Sequence, residues 1–320
     1  MKVSIVVLNY RTACLAIQCV DSILCVCSGD WFEIIIIDNH SNNDSCELIS
    51  GYIASCKVGH KISLIRNHVN GGFSSGNNVG IAQCDGKYVL LLNSDTVVLP
   101  GAIEALVKTL DDNPQLGIAS PRLESTEGVP QESCFKYHRP ISEIIQSAAT
   151  GPVTRLLKAY EVPVKVTNEI SYPEWTSFAC VLIRRKIFDD VGLLDDGFFM
   201  YFEDVDFCRR SNDAGWYIVN NPEARVIHFG SGSSNVGIQI ASQKRPPRYW
   251  YESRSRYYHK YYGHVGFLAA NIFWYLGWLI AMTRRVLNRR YQPKICEKQW
   301  RDIWINFLNP KSAYVHPDRY

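Results

Sequence analysis

Three nearly continuous apolar runs, each ending in a polar residue, constrain this chain more than any other feature. Val3–Leu8 runs into Asn9, Glu33–Ile37 into Asp38-Asn39, and Tyr88–Leu92 into Asn93-Ser94-Asp95. A strand without hydrophobic–polar alternation is covered on both faces, which points to a parallel sheet between layers of helices. Helix-like stretches separate the runs: Thr12–Cys25 with Thr12 as its N-cap, Gly76–Ala82, and Pro100–Leu110 with proline in the first turn. Ile62–Arg66 reads as a further short strand, Trp175–Arg184 as a later one and Asp204–Ala214 as a helix. The expected class is α/β, a Rossmann-like three-layer α/β/α arrangement around a mainly parallel sheet.

In such sheets ligands bind beyond the carboxyl ends of the strands. Asn9-Tyr10-Arg11, Asp38-Asn39 and Asn93-Ser94-Asp95 should therefore share one rim. Strand one lacks G-x-G-x-x-G, and no G-x-x-x-x-G-K-[ST] occurs, which argues against a dinucleotide fold or a P-loop. Asp38 suits the N–H of a pyrimidine ring with Tyr10 stacked on the base, or else it merely closes an Asx turn. Asn70-Gly71-Gly72-Phe73 lets backbone pass close to a ligand, or is an ordinary loop before a helix.

The chemistry-bearing groups are carboxylates and one imidazole. Mg²⁺ and Mn²⁺ prefer oxygen donors and often take one or two carboxylates plus substrate phosphates. Asp95, completed by a diphosphate and by His228 in Val-Ile-His-Phe-Gly-Ser-Gly-Ser, fits that pattern, and an imidazole favours Mn²⁺. Phe198-Phe-Met-Tyr-Phe-Glu203-Asp204 brings an aromatic approach to two carboxylates. Aromatic walls would desolvate a base that takes a proton from a sugar hydroxyl, although carboxylates in a first helical turn are also favoured by the helix dipole. The whole set suggests a metal-assisted transfer to a hydroxyl group.

Charge divides the chain. Residues 1–239 carry 19 Lys and Arg against 27 Asp and Glu, and residues 240–320 carry 15 against 4. A basic, aromatic tail on an acidic body calls for an anionic partner, and a membrane surface suits it better than nucleic acid. The seventeen mostly apolar residues Phe267–Thr283 would reach about 25 Å as a helix, short of a roughly 30 Å hydrocarbon core. An interfacial or re-entrant hairpin is the expectation, with a full span as the alternative, which makes the chain peripheral or re-entrant at the cytoplasmic face of the inner or plasma membrane through residues 248–290. The boundary falls near Ser231–Arg248, with 1–235 as the catalytic domain and 236–320 as a flexible loop plus a helical membrane-associated segment. The eleven cysteines are scattered and read as reduced thiols.

The chain resembles family 2 glycosyltransferases of the GT-A fold, above all the bacterial rhamnosyltransferase-like branch. The likeness runs in order through Val-Ser-Ile-Val-Val-Leu-Asn-Tyr, Ile-Ile-Ile-Asp-Asn-His-Ser, Asn-x-Gly-Phe-Ser-Ser-Gly-Asn-Asn, Leu-Asn-Ser-Asp, Phe-Phe-Met-Tyr-Phe-Glu-Asp-Val-Asp-Phe-Cys-Arg-Arg and His-Phe-Gly-Ser-Gly-Ser. It implies an inverting transfer from a nucleotide diphosphate sugar, dTDP-rhamnose first and UDP-sugars next, to a lipid-pyrophosphate-linked glycan in surface polysaccharide synthesis. By the resemblance Tyr10 and Asp38 hold the base, Asp95 ends a DxD-like motif on the metal, His228 is a further ligand, and Asp204 is the general base with Glu203 in reserve. Three positions depart from the pattern: Asn93 replaces the first Asp, Arg11 replaces an Asn, and Phe178 replaces a small residue, where it would narrow the pocket. A catalytically weak nucleotide-sugar binder at the membrane is the alternative that Phe178 motivates.

Overall fold

Val3, Ile5, Val6 and Val7 on the first strand and Ile34–Ile37 on the second are all at most 2% exposed. Both faces of these strands are thus covered, as their unbroken apolar character requires. The computed structural model describes residues 2–230 and 236–319. They group into two units: Met1–Phe135, Val164–Asp196 and Glu203–Ser234 form the first, and Lys136–Pro163, Gly197–Phe202 and Asn235–Tyr320 the second. The expected flexible stretch Ser231–Asn235 lies outside the described residues.

The first unit opens with β1 (Val3–Asn9), α1 (Ala13–Val26), β2 (Phe32–Asp38), α2 (Ser45–Ser55), β3 (Ile62–Arg66), α3 (Gly72–Ile81) and β4 (Tyr88–Asn93). β5 (Thr96–Val98), α4 (Ala102–Asp112), β6 (Leu116–Glu124) and β7 (Cys134–Phe135) follow. After α5 (Ser142–Ala148) and α6 (Gly151–Leu156) of the second unit come β8 (Trp175–Thr176), β9 (Cys180–Arg184), α7 (Lys186–Val191), α8 (Glu203–Asp213) and β10 (Tyr217–His228). The main sheet has the order β3-β2-β1-β4-β9-β6-β10-β5, and β7 and β8 pair separately. β1 is parallel to both β2 and β4, while β9 runs antiparallel to β4 and β6.

Three elements depart from the sequence expectation. The strand foreseen over Trp175–Arg184 is broken after Thr176, and its halves join different sheets. α3 begins at Gly72 rather than Gly76. Its glycines serve packing: a Cβ on Gly80 would lie 2.4 Å from Val6 Cγ1, and one on Gly76 2.6 Å from Leu8 Cδ1, so only glycine lets α3 lie this close to β1. Thr12 occupies the N-cap position of α1 without a side-chain cap bond. The cap comes instead from Asn9, whose Oδ1 accepts from the Thr12 N–H at 3.1 Å.

The second unit is built on α10 (Arg248–Leu287), two helical arms joined across a kink at Gly263 (φ 65°, ψ −173°). That conformation is essentially restricted to glycine. Arg254 Nη1 donates to Asn271 Oδ1 at 2.9 Å, and Tyr251 packs with Trp274. A straight helix would hold residues seventeen apart roughly 25 Å from each other, so the two arms fold back as a hairpin. Asn271 and Gly277, which interrupt the apolar stretch in sequence, both face inward: a Cβ on Gly277 would lie 2.5 Å from Ile144 O on α5. α9 (Val236–Ala241) and α11 (Gln299–Asp302) complete the unit.

Much of the tail's positive charge is neutralised within the unit. Arg245 bonds Asp302 through two nitrogens at 2.6 and 3.1 Å, and Arg248 pairs with Glu252 at 2.7 Å. Arg254, 1% exposed, donates through Nε to Glu143 Oε1 at 3.2 Å, and Tyr258 Oη donates to the same oxygen at 2.8 Å. Removing one member of a buried pair strands the other charge, which costs more than the pair itself contributes. Arg254→Ala is therefore expected to destabilise by about 3–5 kcal/mol, read as a lower urea midpoint. Arg254→Met combined with Glu143→Leu should unfold much later than the single variant.

Candidate functional site

Strand order reverses between β1 and β4, because β2 and β3 build outward on one side of β1 and β4 starts the other. Such a switch point opens a crevice at the strands' carboxyl ends. Asn9 pairs in register with Asp38, and Leu8 with Asn93, so the three polar strand ends form the single rim that the sequence suggested.

Asn9, fully buried, laces this rim. Its Nδ2 donates to Asp38 Oδ2 at 2.8 Å and to Ser41 Oγ at 3.2 Å, while its Oδ1 accepts from Thr12. Thr12 Oγ1 in turn bonds Ser94 Oγ at 2.9 Å. Asp38 also accepts from the Ser41 N–H at 3.0 Å and the Ser41 hydroxyl at 2.6 Å, so the Asx-type turn is formed. Arg11 donates through Nε to Ser41 O at 3.0 Å and lies over the Tyr10 ring at 5.0 Å. Ser41 was not foreseen, although a serine three residues after a strand-ending Asp is a recognisable turn signal. Arg11, His40 and Asn42 all have φ between 53° and 60°, a concentration of left-handed non-glycine residues on one rim.

The Asn70–Phe73 segment joins the rim through Asn39. Asn39 Nδ2 donates to Asn70 Oδ1 at 2.9 Å and to Gly72 O at 3.0 Å, and Gly72 takes φ 83° as it opens α3. The glycine pair thus admits a tight turn beneath Asn39.

Asp95 and His228 meet at the sheet's far edge. Thr96 pairs with His228 across antiparallel β5 and β10, and the Phe229 N–H donates to Asp95 O at 3.0 Å. His228 Nε2 stands 3.6 Å from Asp95 Oδ1. Burial holds the His228 imidazole below its usual pKa, opposed in part by Asp95, which favours the neutral, ligand-competent ring. Among the described residues no three His, Cys, Asp or Glu side chains gather as a metal cage. Two protein donors leave several positions of a divalent ion to other oxygens.

α8 starts with Glu203, Asp204 and Asp206 and packs on β8 and β10. Asp206, fully buried, pairs with Arg210 at 2.9 Å, while Asp204 is half-buried and accepts from the Val205 N–H at 2.8 Å. Glu203 Oε2 is buried without a hydrogen-bond partner. Burial and then the charge of Asp204 drive Glu203 well above the ordinary carboxylate range. Burial likewise brings Asp204 up to about 7, against the lowering pull of the Val205 N–H. The aromatic residues before them pack inside the second unit: Phe199 against Tyr249 and Tyr314, Phe202 against Trp250 and Tyr257. Tyr201 and Phe202 adopt φ 71° and 69°, strained conformations immediately ahead of Glu203. Phe178, 2% exposed, is buried against Phe207 of α8 at 5.9 Å.

The model of the family described as Glycosyl transferase family 2 matches residues 4–206, a span that holds the polar rim, Asp95, Glu203 and Asp204 but not His228. The chain belongs to glycosyl transferase family 2. Over 153 residues it is 31% identical to N-acetylglucosaminyl-diphospho-decaprenol L-rhamnosyltransferase of Mycobacterium tuberculosis, covering 46% of this chain and 48% of that protein. It is 27% identical over 240 residues to the O-antigen biosynthesis protein RfbC of Myxococcus xanthus, 72% of this chain but 18% of that one. The chain thus spans about half the length, or less, of these relatives. A Pyrobaculum calidifontis mannosyltransferase, PcManGT, solved in complex with GDP-Man and Mn²⁺, superposes with TM-score 0.56 at 12% identity, covering 97% of this chain and 85% of that one. That likeness is one of fold, and with the family match it meets the expectation of a GT-A architecture.

The acidic start of α8 carries a pH signature. A carboxyl raised on folding contributes stability that is fully present below its unfolded pKa and lost as pH rises through its folded value. For Asp204 the loss should run from about pH 4 to about pH 7. Melting temperatures measured over that window should fall with pH in the native protein and fall less steeply in Asp204→Asn.

Proposed function

We propose that the first unit transfers a sugar from a nucleotide diphosphate sugar to a hydroxyl group with inversion at the anomeric carbon. The observation that carries this reading is the pair Asp95–His228 at one edge of a sheet whose other strand ends form a laced polar rim. Tyr10 and Asp38 would receive the base. Asp38 already accepts hydrogen bonds from Asn9 and twice from Ser41, which hold its carboxylate at the end of β2 in position to meet a ring N–H. Uracil and thymine both offer that N–H. We take dTDP-rhamnose ahead of UDP-sugars as the donor, a choice supported by the mycobacterial relative's name as an L-rhamnosyltransferase. Arg11, Asn70–Phe73, Asn93 and Ser94 would complete the donor side.

The donor set fits a divalent ion, Mn²⁺ or Mg²⁺, held by Asp95 and His228 with the remaining positions open to diphosphate oxygens. When bound, such an ion would supply positive charge against the departing diphosphate. In the reaction itself, the acceptor oxygen bonds to the anomeric carbon from the face opposite the leaving group as the bond to the diphosphate oxygen breaks. Asp204 takes the hydroxyl proton, and its pKa near 7 suits a base working at neutral pH. Burial, and then the charge of Asp204, raises Glu203 beside it, so a second negative charge next to Asp204 is disfavoured. The non-catalytic reading rested on Phe178, and a ring buried against Phe207 gives that reading no support.

The acceptor we infer is a lipid-pyrophosphate-linked glycan at the cytoplasmic face of the membrane, as in surface polysaccharide assembly. The mycobacterial relative's name carries a diphospho-decaprenol acceptor. In this chain the support is the hairpin's second arm. By length and composition it is apolar enough to cross a membrane, and it is apolar on two faces: Phe267, Ala270, Trp274 and Ala281 are buried, while Val265, Leu268, Ile272, Leu276 and Leu279 are 38–82% exposed. A helix that is hydrophobic all round needs an apolar partner on its outer face. Arg285, Arg289 and Arg290 at its end are exposed and suit anionic headgroups.

Two measurements bear on these readings. With Mn²⁺ present, release of nucleoside diphosphate from dTDP-rhamnose is expected, and Asp95→Asn and Asp204→Asn should each lower transfer by roughly 10²–10⁴-fold with unchanged circular dichroism; retained turnover in either variant removes its assigned role. Ile272→Glu with Leu276→Glu should abolish flotation with anionic vesicles while leaving donor hydrolysis intact.

A further inference from the structure

We propose that Gln131 is a positioning residue that fixes His228 as the tautomer protonated on Nδ1, so that the lone pair of Nε2 is the one offered beside Asp95. The purpose of this arrangement rests on the metal reading above; the tautomer itself does not. Gln131 lies 2.8 Å through Nε2 from the His228 carbonyl oxygen and 3.1 Å through Oε1 from His228 Nδ1. Heavy-atom positions alone do not distinguish the two ends of a carboxamide. Here the partner does: a carbonyl oxygen only accepts, so the NH₂ must face it. The amide oxygen then faces Nδ1, and since that oxygen also only accepts, Nδ1 must carry the proton. A neutral ring protonated there has its free lone pair on Nε2, 3.6 Å from Asp95 Oδ1.

Two electron-pair donors facing each other suit a cation between them, and metal-bound histidines are commonly oriented by a hydrogen bond at the other nitrogen. The backbone holds Gln131 in place for this. Its N–H donates to Leu123 O at 2.8 Å, and the turn that carries it back toward β10 closes with Ser125 N–H on Val129 O at 2.8 Å and Gly128 at φ 75°. Gly-Val-Pro-Gln-Glu-Ser gives no sign of this role in sequence.

The test is ¹⁵N NMR of the full chain labelled at histidine, with the His228 signals assigned by their absence in His228→Ala. Without metal, Nδ1 should be protonated and Nε2 bare. Gln131→Ala should redistribute the ring toward the tautomer mixture of a solvated imidazole and weaken Mn²⁺ binding roughly 10–100-fold. Gln131→Glu, which keeps an acceptor for Nδ1–H, should restore the native tautomer. A native ring protonated on Nε2 overturns the proposal, as does a Gln131→Ala variant with native tautomer and native affinity. If the tautomers behave as expected but Mn²⁺ neither binds nor broadens the Nε2 signal, the role of Gln131 stands and the metal reading falls.

Discussion

The carboxamide of Asn9 is the contact on which the rim depends. One buried side chain donates to the end of β2 and to the turn after it, and caps the start of α1. Through Thr12 the same network reaches Ser94 beyond β4. Both neighbours of β1 are therefore set relative to it by hydrogen bonds shielded from water, where a broken bond leaves a costly unsatisfied group. Asp38 is presented at the crevice in one orientation because two other residues already hold it. A side chain preorganised in this way loses little freedom when a ligand arrives.

Next to Ser94 of that rim, the Asp95–His228 pair is set by backbone to the same end. Asp95 precedes a three-residue strand, and His228 ends a twelve-residue one. Their antiparallel register and the Phe229–Asp95 bond bring the carboxylate and the imidazole together. Neither residue needs a dedicated helix or loop, and Gln131 meets the ring at Nδ1, the nitrogen turned away from Asp95.

Much of this was legible in sequence, and the parts that were not share physical causes. β1, β2 and β4 announce themselves because buried parallel strands cannot alternate, and their polar ends fall together for topological reasons. β6 and β10 escaped notice because each contains a proline. Pro121 pairs with Asn221 beside the register shift between Asn221 and Arg225, and bulges are where a sheet tolerates proline. The aromatic run before Glu203 was recognised, but composition does not say which unit such residues enter. The arginines after residue 240 read as a free basic surface, whereas Arg245 and Arg254 have acidic partners 57 and 111 positions away that no local pattern links to them, and Arg248 pairs with Glu252 one helical turn on.

The fold-back at Gly263 has a consequence for how this chain tolerates change. Residues at nearly matched separations from the glycine face one another: Tyr251 lies 12 positions before it and Trp274 11 after, Arg254 9 before and Asn271 8 after. Adding or deleting one residue within either arm would rotate everything beyond it by about 100° and turn an inward Asn271 or Gly277 out of its contact. The two arms are therefore locked in register with each other, and a change of length in one must be matched in the other.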